Sequence, residues 1–192
     1  MRRLLMGGLV LAAACLNPRG DPSAFFLLSP ASPPTNQSPV PVSVGIGPVT
    51  IPGYLDRPQM VVRLSDNEIA VSETDRWGEA LGESIMRTLE ENLTGLLPGS
   101  SYVRYPWYPS EAPDYAVALD VRRFEADAGG NVVLEATWRL RRDGAEVGAR
   151  SVRLSESADA PDRGSAVAAQ SRALAELSRE IADAVRTARS GR

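Results

Sequence analysis

The chain has 192 residues, of which 43% are apolar and 23% charged, and its formal net charge is −3. That is enough for one domain with a real core, and it is not the composition of a disordered chain; no basic block exceeds a triplet, so the concentrated cationic face that nucleic acid requires is missing. All 21 basic residues are arginine, histidine is absent and Cys15 is the only cysteine, which excludes histidine-based catalysis and ligation, an internal disulfide and a thiolate metal site.

The chain opens on "MRRLLMGGLVLAAAC", with Arg2-Arg3 ahead of an apolar run from Leu4 to Ala14. The run is too short to span a bilayer and suits the apolar region of a signal peptide. Ala12-Ala13-Ala14 leads straight into Cys15, which looks like the lipobox of bacterial lipoproteins. Residues 1–14 are therefore expected to be removed. Cys15 would then carry diacylglycerol on its sulfur and an acyl chain on the new amino terminus, at about 0.8 kcal/mol of anchoring per buried methylene. Residues 15–24 form the lipidated tether, 25–188 a single domain and 189–192 a tail. Leu16, where an aspartate would resemble an inner-membrane retention signal, favours the outer membrane.

Phe25 to Leu28 reads as a strand, and the Pro/Ser/Asn run that follows, to about residue 41, cannot be regular structure. Val42, Val44 and Ile46 alternate along a strand interrupted at Gly47-Pro48. Met60 to Leu64 and Glu68 to Ser72 read as a hairpin around Ser65-Asp66-Asn67. A helix is expected over about 75–97. Trp77, Leu81, Ile85, Leu89 and Leu93 recur every four residues there, with Thr74 as N-cap and Pro98-Gly99 as the stop. Ser101 to Tyr105 is a short strand ahead of the aromatic loop "PWYPSEAP". Tyr115, Val117, Leu119 and Val121 alternate, as do Val132, Leu134, Ala136, Trp138 and Leu140. Asp143-Gly144 turns the chain into a further strand. Val167, Leu174, Leu177, Ile181 and Val185 mark a final helix over about 163–188. The fold class expected is α+β: a two-layer, largely antiparallel sheet with two amphipathic helices packed on one face.

Residues that could carry chemistry are scattered. Gly45-Ile46-Gly47 is followed by Pro48 and more strand, where a phosphate loop needs a helix N-terminus. Asp114 and Asp120 sit roughly 20 Å apart along one strand. No serine has a nucleophile elbow or a histidine to activate it. No catalytic residue, metal or cofactor is expected, the acyl groups on Cys15 aside. Two segments stand out as partner-binding candidates. In "IPGYLDRPQ", Pro52-Gly53 turns the chain and Pro58 keeps Arg57 extended. Asp56 and Arg57 are adjacent, so each seeks a different partner. Either Tyr54 and Leu55 cap the core within a purely structural turn, or the segment is a subunit contact. In the aromatic loop, Tyr105, Trp107 and Tyr108 either cover the sheet edge or present a binding surface.

"VGIGPVTIPGYLDRPQMVVRLSDNEI", "RWGEAL", "ENL", "YPW", "VALDVRRFEADAGGNVVLEATWRL" and "AQSRALAELSREIADAV" together resemble the ABC-type transport auxiliary lipoproteins of the PqiC type. The resemblance runs from about Phe25 to Val185; Gly78, Ala80 and the Pro-rich linker depart slightly from the pattern. It implies a non-catalytic periplasmic α+β domain held at the outer membrane. It also implies partnership with an MCE-domain protein whose tunnel carries lipid between membranes, and a homo-oligomeric ring. The alternative kept beside it is an outer-membrane lipoprotein that regulates or scaffolds cell-wall synthesis.

Overall fold

Alternating apolar residues build the sheet, and residues spaced by three and four build the helices that cover it. The computed structural model describes residues 22–31 and 38–191; the signal segment, Cys15 and the tether up to residue 21 lie outside the described residues. The elements in order are β1 (Ala24–Phe26), β2 (Ser43–Thr50), β3 (Gln59–Ser65), β4 (Glu68–Trp77), α1 (Leu81–Leu96), β5 (Ser101–Arg104), a single 3-10 turn (Pro109–Glu111), β6 (Tyr115–Asp127), β7 (Asn131–Arg142), β8 (Ala145–Ser157) and α2 (Arg163–Ser190).

The eight strands form one sheet and the fold is α+β. Its longest ladders are the antiparallel hairpins β6–β7 and β7–β8. The β1–β4, β2–β5, β2–β6 and β3–β6 pairs are parallel, so the sheet is mixed. The turn into β8 is made by Asp143 (φ 51°) and Gly144 (φ 77°), two successive left-handed residues whose twist matches that of the strands they join.

One helix boundary differs from the sequence expectation. The first helix begins at Leu81, not near residue 75. Residues 73–77 instead prolong β4, because β1 pairs along them (Ala24↔Asp75, Phe26↔Trp77) and the Trp77 N–H donates to Pro58 O at 2.7 Å. Trp77 therefore enters the core from the end of a strand, and its four-residue spacing from Leu81 is not a helical one. Thr74 lies in β4 and caps nothing; the N-cap position falls on Ala80, which offers no side-chain acceptor. The last helix starts at Arg163 as expected and runs to Ser190. It is capped by Asp162, which accepts from the Ser165 N–H at 2.9 Å.

Both helices pack on one face. Ile85, Leu89 and Leu93 of α1 and Leu174, Leu177 and Ile181 of α2 are fully buried against Val44, Ile46, Val117, Leu134 and Leu140. Each such side chain contributes about 1.5–3 kcal/mol. Ala169 and Ala173 let α2 approach the sheet closely, and Gln170 donates to Phe124 O at 2.8 Å. The opposite face is polar, with the Thr137–Ser151 hydroxyl pair at 2.8 Å and Glu135–Arg153 and Arg139–Glu146 ion pairs across the strands.

One topological detail positions the site. β7 occupies one edge of β6 from Tyr115 to Ala126, so β2 and β3 share the other. β2 lies beside its first half (Val44↔Tyr115 to Thr50↔Asp120) and β3 beside its end (Val62↔Ala126, Arg63↔Asp127). Residues 51–58 bridge the gap. Opposite them β6 bulges, with a register shift between Val121 and Arg123.

Candidate functional site

The segment 51–58 is stitched down from within. The Leu55 and Asp56 N–H groups donate to Pro52 O at 2.9 and 3.3 Å, and the Arg57 N–H donates to Leu55 O at 2.9 Å. Leu55 is 3% exposed and belongs to the core, and Tyr54 packs against it. Of the two readings of the segment, core capping is what Tyr54 and Leu55 do.

The bulge in β6 explains what holds Tyr54. Up to Val121 the odd-numbered residues of β6 are buried; beyond the bulge Phe124 and Ala126 take over that role. Glu125 is thereby turned away from the helices, yet it is only 1% exposed, because Tyr54 and two arginines close over it. The Tyr54 hydroxyl donates to its Oε2 at 2.9 Å and Arg63 Nε to its Oε1 at 2.5 Å. Arg123 Nε stands 3.1 Å away as an ion pair, at an angle that makes no hydrogen bond. Burial, then the hydrogen bond to Glu125, pushes the Tyr54 phenol up to about 12. The same carboxylate raises the Arg63 guanidinium, whose carbon lies 5.8 Å from the Tyr54 ring centre. A buried carboxylate with two cations and a phenol is costly to assemble and more costly to break, so the cluster fixes where the segment sits. Sequence reasoning did not single out Glu125. The signal available was an acidic residue inside "RRFEA", among buried apolar neighbours.

The other half of the segment is left unpaired. Asp56 is exposed, and among the described residues neither Asp56 nor Arg57 makes an ion pair or a side-chain hydrogen bond. Arg57 Nε is shut away from solvent without a partner. With Pro58, Trp77, Glu79 and Ala80 these residues line a pocket of about 330 Å³. Glu79 does not serve Arg57; it holds Arg87 at 2.8 Å. Burial would raise its carboxyl, but the hydrogen bonds from Arg87 and Ser84 outweigh that and hold it below its ordinary value.

The aromatic loop divides the same way. Trp107 lies over Gly45 of β2 beside Pro113; a Cβ at Gly45 would meet Pro113 at 2.5 Å and the Trp107 ring at 2.9 Å, so only glycine fits beneath that ring. Tyr105 meets Trp107 edge to face, with ring centres 5.5 Å apart. Tyr108 is 73% exposed and covers nothing. Tyr54, Leu55, Asp56 and Arg57 gather at the C-terminal end of β2, and Tyr105, Trp107 and Tyr108 gather beside its N-terminal half; among the described residues no hydrogen bond or ring contact joins the two groups. Cys15 lies outside the described residues. Among those described, no three His, Cys, Asp or Glu side chains gather as metal ligands, and no helix is long and apolar enough to cross a membrane.

A family model, the ABC-type transport auxiliary lipoprotein component, matches residues 26–182. Among solved structures, an uncharacterized protein is 21% identical, with a TM-score of 0.69 over 84% of this chain and 97% of that one. A Xanthomonas campestris protein is 20% identical, with a TM-score of 0.68 over 83% and 92%. A PelC dodecamer from Paraburkholderia phytofirmans is 14% identical, with a TM-score of 0.45 over 79% and 92%. No curated protein matches the chain significantly. At these identities the first two structures speak for the fold alone, while the family model spans most of the sequence: the chain belongs to the ABC-type transport auxiliary lipoprotein components.

Proposed function

We propose that the chain is a non-catalytic lipoprotein subunit of an MCE/ABC-type intermembrane lipid transport system. It is anchored through acylated Cys15 on the periplasmic face of the outer membrane, where it holds the end of its partner's tunnel and so supports envelope integrity. Membership of an auxiliary component family supports a transport-system partner. The observation that carries the contact surface is Asp56-Arg57. Both are charged, both lack side-chain partners among the described residues, and both are presented on a segment locked in place by Glu125. A rigid frame with unpaired charges at its rim favours a specific and electrostatically selective contact. Tyr108, exposed on the aromatic loop, is a second contact. Assembly of several copies into a ring is in keeping with β8, whose outer edge, among the described residues, is unpaired over 13 residues.

The test is co-purification of the tagged, full-length chain from detergent-solubilised envelopes. The MCE-domain protein is expected to accompany the wild type. Arg57→Glu is expected to lower its recovery by roughly tenfold or more, the range for inverting a desolvated charge at an interface, with no change in thermal midpoint. Unchanged recovery from Asp56→Arg/Arg57→Glu would remove this surface from the contact. Recovery of a peptidoglycan synthase in place of the MCE protein would favour the cell-wall scaffold reading.

A further inference from the structure

Phe25 is 66% exposed and Leu27 52% exposed. Among the described large apolar side chains only Tyr108 is more exposed than Phe25, and its hydroxyl belongs in water; Phe25 has no polar atom to compensate. The two residues sit on and just after β1, a three-residue strand at the edge of the sheet. With Pro30, Ala31, Val167 and Ala168 they line an open groove of about 460 Å³. In register with Phe25 stands Arg76 of β4. Arg76 makes no ion pair among the described residues, and its Nε is shut away without a hydrogen-bond partner. Its neighbour Asp75 is committed to Arg163 at 2.9 Å.

The position of this patch in the chain decides what covers it. Phe25 follows Cys15 by ten residues, which reach at most about 35 Å when fully extended. β1 is thus the first described element after Cys15, and once Cys15 is acylated its exposed side is held within that distance of the lipid. An aromatic and an aliphatic side chain beside an unneutralised guanidinium is the chemistry of the bilayer interface, where rings lie among glycerol groups and cations meet phosphate. We propose that Phe25 and Leu27 seat the β1 edge on the lipid surface to which Cys15 is anchored, with Arg76 meeting lipid phosphate. The inference rests on the anchoring reading above and adds an orientation to it: the domain stands on its β1 edge, directed by the patch, instead of turning freely on its tether.

The experiment is photo-crosslinking of the full-length protein, purified from a bacterial host and reconstituted into vesicles of phosphatidylethanolamine and phosphatidylglycerol that contain a phospholipid with a diazirine near the glycerol. Adducts are located by peptide fragmentation, and incorporation of labelled palmitate is measured on the same preparation. Adducts are expected on residues 25–27 and not on the aromatic loop. Phe25→Ser/Leu27→Ser should lower them by about tenfold, the scale for exposing two part-buried apolar side chains. Arg76→Gln should also lower them, because both lipids carry the phosphate that the guanidinium meets. Adducts spread evenly over the surface, or centred on Tyr108, would overturn the proposal, as would protection of residues 25–27 that depends on protein concentration and not on lipid, which marks a second copy as the occupant. Palmitate incorporation without adducts at 25–27 sinks the proposal and leaves the anchor intact. Adducts at 25–27 without palmitate sink the anchor and leave the patch.

Discussion

Glu125 is the residue on which the candidate surface depends. It is buried with Arg63, Arg123 and Tyr54 around it, and deleting one member of such a cluster strands the others. Glu125→Ala is expected to lower unfolding free energy by about 3–5 kcal/mol, the usual consequence of leaving a buried charge unpaired. A urea titration checks it; a loss under about 1 kcal/mol, as for an exposed pair, would mean the cluster does not organise the segment. Tyr54 gives the same cluster a pH signature. Its phenol is raised from 10.0 to about 12 in the folded chain, so its contribution is complete below the ordinary value and disappears as pH rises from 10 towards 12. Burial moves Tyr102 in the same direction and to about the same value. Stability measured across that interval should therefore fall in the wild type and fall less steeply in Tyr54→Phe. An identical slope in the variant would place Tyr54 in water.

At the scale of elements, the alternating strands and the last helix were legible in the sequence, and the first helix boundary was not. Val132 to Leu140 alternate over a single partner face, and Asp143-Gly144 is a local turn signal; both act through neighbours in sequence. The extension of β4 through Trp77 depends on β1 pairing from about fifty positions away, and no local pattern distinguishes that from a helical turn. The same holds for the site. The turn residues of 51–58 and the burial of Leu55 were readable; Glu125 was not, because its burial follows from a bulge that shifts the parity of β6. Local carboxylates do stabilise the turns. In the β6–β7 turn Asp127 accepts from the Gly129 and Asn131 N–H groups at 2.8 and 2.9 Å. Burial raises its carboxyl, but these bonds and the nearby Arg123 hold it below the ordinary 3.8. That stabilisation is present above the ordinary value and is lost as pH falls through the lower folded one. Between about pH 5 and pH 3 the urea midpoint of the wild type should drop, and that of Asp127→Asn should drop less. Parallel curves would show that Asp127 is not held low.

For the whole molecule, the division of labour follows the sheet. One face is covered by α1 and α2, the other is charged and wet, and the features available to partners lie along the rim: Asp56-Arg57 at the end of β2, Tyr108 beside its N-terminal half, Phe25 and Leu27 on β1. On the proposed function, such a domain serves to hold other components in place, and its rim at Arg57 meets the MCE-domain protein of a transport system. The most direct measurement is a photoreactive amino acid placed at position 57 in the full-length chain and irradiated in intact cells. A covalent product with the MCE-domain protein is expected, absent when the probe is moved to Ser151 on the wet face. A product with a cell-wall synthase alone, or equal yields from both positions, would contradict it.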